Sequence, residues 1–343
     1  MNILLFIVIV SAQAQFRSPN PDPINDIEQE AKLDENIDDS SYQQYSGPIY
    51  VALSPNLNDF GRFADGGADE NWYIGFDNAW IVKLPQAPAG EFGRAFIGAK
   101  LGRAKARPQR GSSRGPAVIP GKIYMAISQR PGFSSEQSFF LADTLDVPLE
   151  GVGPSQWFWA EVPIPLVSTT RPNYLIIWSP TRDFRDAAHS PILAALQESS
   201  VEKGGESRAW NNHSIQGVPP RWENDALQVP INLKPALALK LVPSSLNTRI
   251  SVSPAAAQRA RDAVVVDFSV TGTDVELAWV ESSTDELEWR RASSYRRMPP
   301  YSFTIPKAAL SGKGAFLRGA AQDSLGNRTA GAHVQAPVED SRP

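Results

Sequence analysis

The chain has 343 residues and no cysteine; 42% of the residues are hydrophobic, 20% are charged, and the formal net charge is -4. This composition is typical of a globular protein, and the length allows two domains. The lack of cysteine excludes disulfide frameworks, cysteine nucleophiles, iron–sulfur clusters and thiolate zinc sites. The 29 Pro, 24 Gly and 9 Trp favour short strands and loops over long helices.

The first segment, residues 1–14, is expected to be a signal peptide. Ile3 to Val10 is an unbroken apolar run, and Ala12-Gln13-Ala14 follows it with small residues in an A-x-A arrangement. The alternative is a buried N-terminal strand, since no basic side chain precedes the run. No stretch of the chain reaches the roughly 20 apolar residues that a membrane-spanning helix needs. We therefore expect a secreted protein, extracellular or periplasmic, with attachment to a cell surface left open.

Residues 15–45 are expected to form a disordered acidic leader. Between residues 16 and 45 there are eight acids, two bases and three prolines, with few large apolar side chains to offset the entropy cost of ordering the chain. A docking tail is the alternative interpretation of this charge. At the other end, residues 339–343 form a short polar tail.

Residues 46–243 are predicted to form a jelly-roll β-sandwich, because short apolar runs alternate with Gly, Pro, Asn and Asp. Trp157-Phe158-Trp159-Ala160 is apolar on both faces, which predicts a central strand covered on each side. One helix is expected, with Ser190 as its N-cap, Pro191 in its first position and Ile192 to Leu196 as its body. The predicted strands are Ile49 to Leu53, Trp72 to Phe76, Ala79 to Leu84, Arg94 to Leu101, Lys122 to Ser128, Ser138 to Ala142, Gln156 to Val162, Tyr174 to Trp178 and Ala236 to Val242.

This succession of strands and loops resembles the galactose-binding-like jelly rolls that serve as carbohydrate-binding modules in secreted bacterial proteins. The resemblance is architectural and covers most of residues 46–243. It implies that exposed aromatic side chains bind a glycan and that a structural calcium ion accompanies the fold.

A candidate glycan site lies around two tryptophans that flank a polar loop. A sugar offers apolar C–H faces and a rim of hydroxyls, so flat aromatic rings beside amides, an arginine and a carboxylate suit it. The alternative is that both indoles only pin a long loop to the sandwich, as the tryptophans within the strands are expected to fill the core. The predicted ligand-binding residues are Trp210, Asn211, Asn212, His213, Arg221, Trp222 and Glu223.

A candidate calcium site lies in an acidic, glycine-containing loop and the turn after it. Calcium takes several oxygen ligands on an irregular loop, and its candidate ligands here are Asp65, Asp69, Glu70, Asp77 and Asn78. The spacing is not that of an EF-hand. An ordinary acidic turn is the alternative, because Asp and Gly form turns in any case.

A basic stretch runs from Phe92 to Ser135, where nine bases and no acid occur. Five of the bases fall in one loop and form a predicted patch for an anionic partner such as an acidic polysaccharide: Arg103, Lys105, Arg107, Arg110 and Arg114. Nucleic acid is not expected, because export and the lack of interleaved aromatic residues argue against it. A solvated loop, or one paired with the acidic leader, is the alternative.

Residues 244–338 are predicted to form a second, smaller β-sandwich. The segment from Phe316 to Asn327 resembles the penultimate strand and closing hairpin of bacterial Ig-like or fibronectin type III-like domains, in which an aspartate and a Gly-Asn pair form the turn. Such domains act as spacers or adhesive modules. The predicted strands are Arg249 to Ser253, Ala263 to Val270, Val275 to Val280, Leu287 to Ala292, Tyr301 to Ile305, Ala315 to Ala321 and Arg328 to Val334.

No local motif for catalysis is convincing. Gly111-Ser112-Ser113-Arg114-Gly115 matches G-x-S-x-G without the strand and helix that a nucleophile elbow needs. A glycosidase pair of carboxylates leaves no local signature, and Glu161 and Glu223 are the candidates. We therefore expect an all-β, non-catalytic, glycan-binding protein. The alternatives are a structural or adhesive surface protein that contacts other proteins and a glycan-active hydrolase.

Overall fold

The computed structural model describes the chain in eleven ranges. These are residues 45–61, 72–103, 119–130, 137–148, 155–187, 189–198, 207–220, 226–247, 249–272, 274–310 and 315–337. The expected signal peptide, the acidic leader and the C-terminal tail lie outside them. Among the described residues, no helix has the length and apolarity needed to cross a membrane.

The prediction of an all-β fold is confirmed, because strands in antiparallel sheets dominate the described chain and its helices are single 3₁₀ turns. The described residues up to Pro243 supply thirteen strands, which are β1 (Ile49–Ala52), β2 (Ala79–Leu84), β3 (Phe92–Arg103), β4 (Lys122–Ser128), β5 (Ser138–Asp143), β6 (Gln156–Val162), β7 (Asn173–Trp178), β8 (Pro191–Leu193), β9 (Ala195–Gln197), β10 (Ala209–Asn212), β11 (Leu227–Gln228), β12 (Leu233–Pro235) and β13 (Leu237–Pro243).

Two of the sheets formed by these strands pack on a common core. The first has the order β1-β13-β3-β6, with β8 paired to the end of β3, and the second has the order β11-β10-β2-β7-β4-β5. Alternate residues of both sheets point inward, as the period of two requires. Ile97 and Leu239 from the first sheet meet Met125 and Ile177 from the second, and all four are fully buried.

In the described ranges after Pro243, ten further strands surround a second core, which includes Val266, Val280 and Leu317. The larger sheets have the orders β15-β16-β20 and β19-β18-β21-β22, with β23 also paired to β21. The strands are β14 (Ser251–Val252), β15 (Ala256–Arg259), β16 (Ala263–Phe268), β17 (Val270–Thr271), β18 (Val275–Ser283), β19 (Arg290–Arg291), β20 (Tyr301–Pro306), β21 (Phe316–Asp323), β22 (Arg328–Ala330) and β23 (Val334–Gln335).

The helix expected from Ser190 onward is wrong. Its residues form β8 and β9, because their backbone groups form hydrogen bonds with neighbouring strands. Strand β8 pairs with β3, and the Ala194 N–H donates to the carbonyl of Lys100 at 2.9 Å. A short apolar run fits a buried strand as well as a buried helix. The capping residues Ser190 and Pro191 therefore led to the wrong type of element.

The central position expected for Trp157 to Ala160 is also wrong. Strand β6 lies at the edge of the first sheet and pairs only with β3 within it. Trp157 and Trp159 stack on each other at a centroid distance of 5.2 Å on the outer face and are half-buried. Side chains cover them instead of a second sheet, with the Phe60 ring against Trp157 and the Tyr50 ring against Trp159.

Gln43 to Pro343 forms one compact unit, and a buried lysine lies where the two sandwiches meet. Lys240 on β13 is 1% exposed, and its ammonium nitrogen lies 4.6 Å from the Phe96 ring centroid and 4.7 Å from that of Trp159. It donates a hydrogen bond to the Ser324 carbonyl at 3.0 Å and lies 3.7 Å from a carboxylate oxygen of Glu276. Burial lowers the pKa of Lys240 and raises that of Glu276.

Arginines complete this junction on both sides of the lysine. Arg94 forms a two-fold ion pair with Glu161 and donates to the Leu325 carbonyl at 3.1 Å. Arg297 donates to the Trp157 carbonyl at 2.7 Å, and Arg291 pairs with Asp143 at 2.8 Å. The first sandwich is therefore bound to the second through charged hydrogen bonds as well as apolar packing.

We expect that Lys240→Met destabilises the protein by about 3 kcal/mol, because it leaves the buried Glu276 with Arg297, 3.9 Å away, as its remaining cation. Urea unfolding followed by tryptophan fluorescence measures this loss. The double variant Lys240→Met/Glu276→Gln should recover part of it, since the remaining charge is then also removed. Equal stabilities for Lys240→Met and the parent protein would contradict this account of the junction.

A second test concerns Gly98 on β3. A Cβ atom there would lie 2.2 Å from Cε3 of Trp159 and 2.7 Å from the Phe158 carbonyl oxygen. We expect Gly98→Ala to cost about 1–3 kcal/mol of stability, because the carbonyl oxygen belongs to the paired backbone and cannot withdraw. Gly47→Ala is the matched control in the same urea experiment, since a Cβ at Gly47 meets nothing within 4 Å.

Candidate functional site

The outer face of the second sheet carries a group of aromatic side chains. In β4, Ile123, Met125 and Ile127 point into the core, so the intervening Tyr124 points outward. The same alternation turns Tyr174 and Trp178 of β7 outward, while a shift in register after Ile123 places Phe140 of β5 opposite Tyr124. We call this group the aromatic face, and its members are Tyr124, Phe140, Tyr174, Trp178 and Trp210.

The rings of the aromatic face differ in exposure. Phe140 is 44% exposed, Tyr124 is half-buried, and Trp178 is buried beneath them. Tyr124 contacts Phe140 edge-on at a centroid distance of 5.9 Å and stacks on Trp178 at 6.2 Å. Phe140 and Tyr124 thus offer adjacent apolar surfaces that Trp178 supports from below.

A loop after β10 folds over one end of this face. Ile215 is buried against Ala79 and Trp178, and the Gly217 N–H donates to the Phe76 carbonyl at 2.6 Å. Gly217 has a φ of 71°, and a Cβ there would lie 2.4 Å from the Phe76 ring. A glycine is required because the backbone approaches the ring closely in the left-handed region.

Polar side chains gather where this loop meets the turns at the end of the sandwich. The Tyr73 hydroxyl donates to Asp77 at 3.1 Å, and Arg185 lies 3.8 Å from the other carboxylate oxygen of Asp77. The Arg185 guanidinium also stands over the Phe76 ring at 5.1 Å. We call Tyr73, Asp77, Arg185 and His213 the loop-end cluster.

The protonation states in the loop-end cluster suit hydrogen bonding to a neutral ligand. Burial lowers the pKa of His213, and the negative charge of Asp77 opposes that shift. A neutral imidazole offers one donor and one acceptor. Burial, followed by the charge of Asp77, raises the pKa of Tyr73, so its phenol stays protonated.

The four described residues of the predicted glycan site do not face a ligand together. Trp210 packs at the side of the aromatic face and is half-buried, and His213 is exposed within the loop-end cluster. Asn211 is buried and donates to Asn78 at 2.7 Å, and the Asn212 side chain accepts from the Ser214 N–H and hydroxyl. The two asparagines therefore hold β10 and its loop in place. Arg221, Trp222 and Glu223 lie outside the described residues.

The predicted calcium ligands are only partly described, since Asp65, Asp69 and Glu70 lie outside the described ranges. Asp77 is engaged by Tyr73 and Arg185. Asn78 is fully buried; its amide donates to the Tyr73 carbonyl at 2.8 Å and its oxygen accepts from Asn211. In the part of the chain that is described, no group of three or more His, Cys, Asp or Glu could hold a metal ion. The calcium site stays a prediction.

The basic patch is described at one residue only. Arg103 ends β3, donates to the Val147 carbonyl at 2.7 Å, and has a pKa lowered by burial. It thus satisfies a backbone acceptor of the first sandwich. Lys105, Arg107, Arg110 and Arg114 lie outside the described ranges, and the patch stays a prediction.

Glu161 does not have the environment of a general acid. Its hydrogen bonds from Arg94 lower its pKa, whereas a glycosidase acid needs a raised pKa. Its position at the junction also separates it from the aromatic face. Glu223, the other candidate, lies outside the described residues.

The sequence contained a signal for the aromatic face that our tryptophan-centred prediction missed. Tyr124 stands between Ile123 and Met125, which a period of two assigns to the core, and Tyr174 precedes Leu175, so outward tyrosines could have been inferred. The outward position of Phe140 could not be inferred in this way, because the register shift between β4 and β5 decides on which side of the sheet it lies.

Comparisons with known proteins find only remote structural similarity. No protein-family model matches the chain, and no curated protein matches it. A β-1,2-glucanase from Parabacteroides distasonis aligns at 13% identity and a TM-score of 0.23, covering 76% of this chain and 31% of that one. A β-D-glucuronidase for Dictyoglomus thermophilum aligns at 8% identity and a TM-score of 0.22, covering 87% of this chain and 45% of that one.

A third structure, a β-glucuronidase from Ruminococcus gnavus, aligns at 7% identity and a TM-score of 0.24, covering 86% of this chain and 46% of its own. The chain thus spans less than half the length of these three proteins. At these values the likeness to glycan-active enzymes assigns neither binding nor hydrolysis, and the function has to be argued from the site.

We expect that Asn78→Ala destabilises the protein by about 1–3 kcal/mol, because the buried Asn211 amide and Tyr73 carbonyl each lose one of their two hydrogen-bond partners. Thermal unfolding with excess calcium and with a chelator measures the effect. A structural role predicts the same loss in both conditions. A loss seen only with calcium would show instead that Asn78 acts through a metal.

Proposed function

We propose that the chain is a non-catalytic carbohydrate-binding protein that takes a glycan on the aromatic face. The observation that carries this proposal is the contact between the exposed Phe140 and the half-buried Tyr124 on a sheet face that continues toward the loop-end cluster. Sugar rings present apolar C–H faces, which aromatic surfaces bind, and hydroxyls, which need donors and acceptors. The aromatic face supplies the first need and the loop-end cluster the second.

Binding is favoured over hydrolysis by the state of the described acids near the site. Asp77 accepts a hydrogen bond from Tyr73 and pairs with Arg185, so both of its oxygens are already engaged. A hydrolase needs two carboxylates across one cleft, one of them protonated. The acids with pKa values raised by burial, Glu276 and Asp146, are enclosed at the junction between the sandwiches.

The proposal includes the finer assignments made from the sequence. The first sandwich would be a carbohydrate-binding-module-like jelly roll and the second an Ig-like or fibronectin type III-like module, in an exported protein. Trp222, which lies outside the described residues, stays a proposed ligand-binding residue.

A structural or adhesive role is the second candidate, and two exposed side chains of the second sandwich favour it. Leu287 is 84% exposed and Met298 is 76% exposed. Large exposed apolar side chains indicate an interaction surface when they form a patch. Leu287 and Met298 both stand in loops of the same sandwich. Protein contacts through these two side chains are compatible with glycan binding by the first sandwich.

We expect that Phe140→Ala and Tyr124→Ala each weaken glycan binding about 3- to 10-fold, because each removes one aromatic surface from the ligand. A glycan array with the parent protein selects the ligand, and calorimetry with that ligand measures the variants. Trp222→Ala belongs to the same series.

The control is Tyr50→Ala, because Tyr50 is 40% exposed and lies on the first sheet, away from the aromatic face. It should bind as the parent protein does. Unchanged affinity of both Phe140→Ala and Tyr124→Ala, with native unfolding curves, would refute the aromatic face as the binding site.

A further inference from the structure

A polar groove lies where the chain enters the second sandwich, and it is separate from the aromatic face. Its volume is about 510 Å³, which lies within the range of small-molecule sites. Three segments form it: the connection leading into β14, the end of β17 and the start of β22. The lining residues are Asn247, Arg249, Ile250, Ser251, Thr271, Gly272, Asn327, Arg328 and Thr329.

One arginine of the groove is held in position by its surroundings. Arg328 pairs with the buried Glu281 and stands over the Trp279 ring at 4.9 Å. Its side chain is nevertheless 58% exposed. A guanidinium has five N–H donors, so the ion pair fixes the group and leaves further donors toward the groove.

The second arginine has no such partner. Arg249 is exposed, and it forms no hydrogen bond or ion pair within the part of the chain that the structure describes. Among the described residues that line the groove there is no carboxylate, and the charge of Glu281 is already balanced by Arg318 at 2.8 Å. The groove is therefore positively charged and open to an anion.

The other lining groups favour a ligand with hydroxyls beside its anionic group. Ser251 and Thr271 pair across β14 and β17, and Thr329 of β22 also lines the groove, so three hydroxyl-bearing residues share the lining with the two arginines. Each hydroxyl both donates and accepts. Arginine binds carboxylates through two parallel hydrogen bonds, which a lysine cannot reproduce.

We propose that this groove binds a uronic acid unit of an acidic saccharide, with its carboxylate on Arg249 and Arg328 and its ring hydroxyls on Ser251, Thr271 and Thr329. The site is independent of the aromatic face, and its test does not require that face to bind a glycan. A protein with both sites would bind a mixed neutral and acidic polysaccharide at two points.

Calorimetry with the full chain tests the proposal, using trigalacturonic acid, its methyl ester and galactotriose as probes. Trigalacturonic acid should bind, and the two uncharged probes should bind at least about tenfold more weakly. Arg249→Gln should weaken the binding of trigalacturonic acid about tenfold. Binding should also weaken as salt rises, since the arginines are exposed.

The matched control is Arg290→Gln, which removes the same charge from an exposed position of the same sandwich outside the groove. Arg328 is not substituted, because its loss would leave Glu281 buried with less compensation. Equal affinities of Arg249→Gln and Arg290→Gln for trigalacturonic acid would overturn the proposal, as would equal binding of the acid and its ester.

Two further variants separate this site from the first one. Ser251→Tyr fills the groove and should abolish binding of trigalacturonic acid, whereas Phe140→Ala should leave it unchanged. Loss of binding in Phe140→Ala alone would place the acidic saccharide on the aromatic face and would overturn the assignment to the groove.

Discussion

The charge of Lys240, buried between two aromatic rings, is the interaction on which the rest of the structure depends. A buried ammonium is costly unless it is compensated. Here the compensation comes from both sandwiches: Phe96 and Trp159 belong to the first, and the Ser324 carbonyl and Glu276 belong to the second. The two sandwiches can satisfy this charge only when they are packed together.

The turn between β21 and β22 is shaped by the same requirement. Leu325 is buried against Phe96 and Val242, and Gly326 follows it with a φ of 84°. A Cβ at Gly326 would lie 2.3 Å from the Phe96 ring. The turn thus inserts an apolar side chain into the junction and then leaves by a backbone conformation that suits glycine. The groove begins directly after it, so the junction also sets the position of Asn327 and Arg328.

The aromatic face follows from a simpler constraint. A strand that buries every second residue must place the intervening ones outside, and in β4 and β7 those residues are tyrosines and a tryptophan. Beside them, the buried contact between Asn78 and Asn211 ties β2 to β10 and sets the origin of the loop that covers one end of the face. The aromatic side chains on the sheet and the polar side chains on the adjoining loops are thereby positioned by one core.

Composition and periodicity alone determined the all-β class and the location of most long strands, because burial on one face of a sheet imposes alternation along the chain. Lys122–Ser128 and Gln156–Val162 have the bounds that the sequence predicts. The same alternation marks Tyr124 and Tyr174 as outward residues.

Only the tertiary structure decided which runs pair with which neighbours. It converted the apolar stretch after Ser190 into β8 and β9, placed Trp157 and Trp159 at a sheet edge, and buried Asn78 and Asn211 against each other. Lys240 and Arg328 carry no distinguishing sequence signal. The role of Lys240 depends on Glu276 and Ser324, which are 36 and 84 residues away along the chain. The role of Arg328 depends on Glu281, which is 47 residues away. Such partners meet only once the tertiary structure has formed.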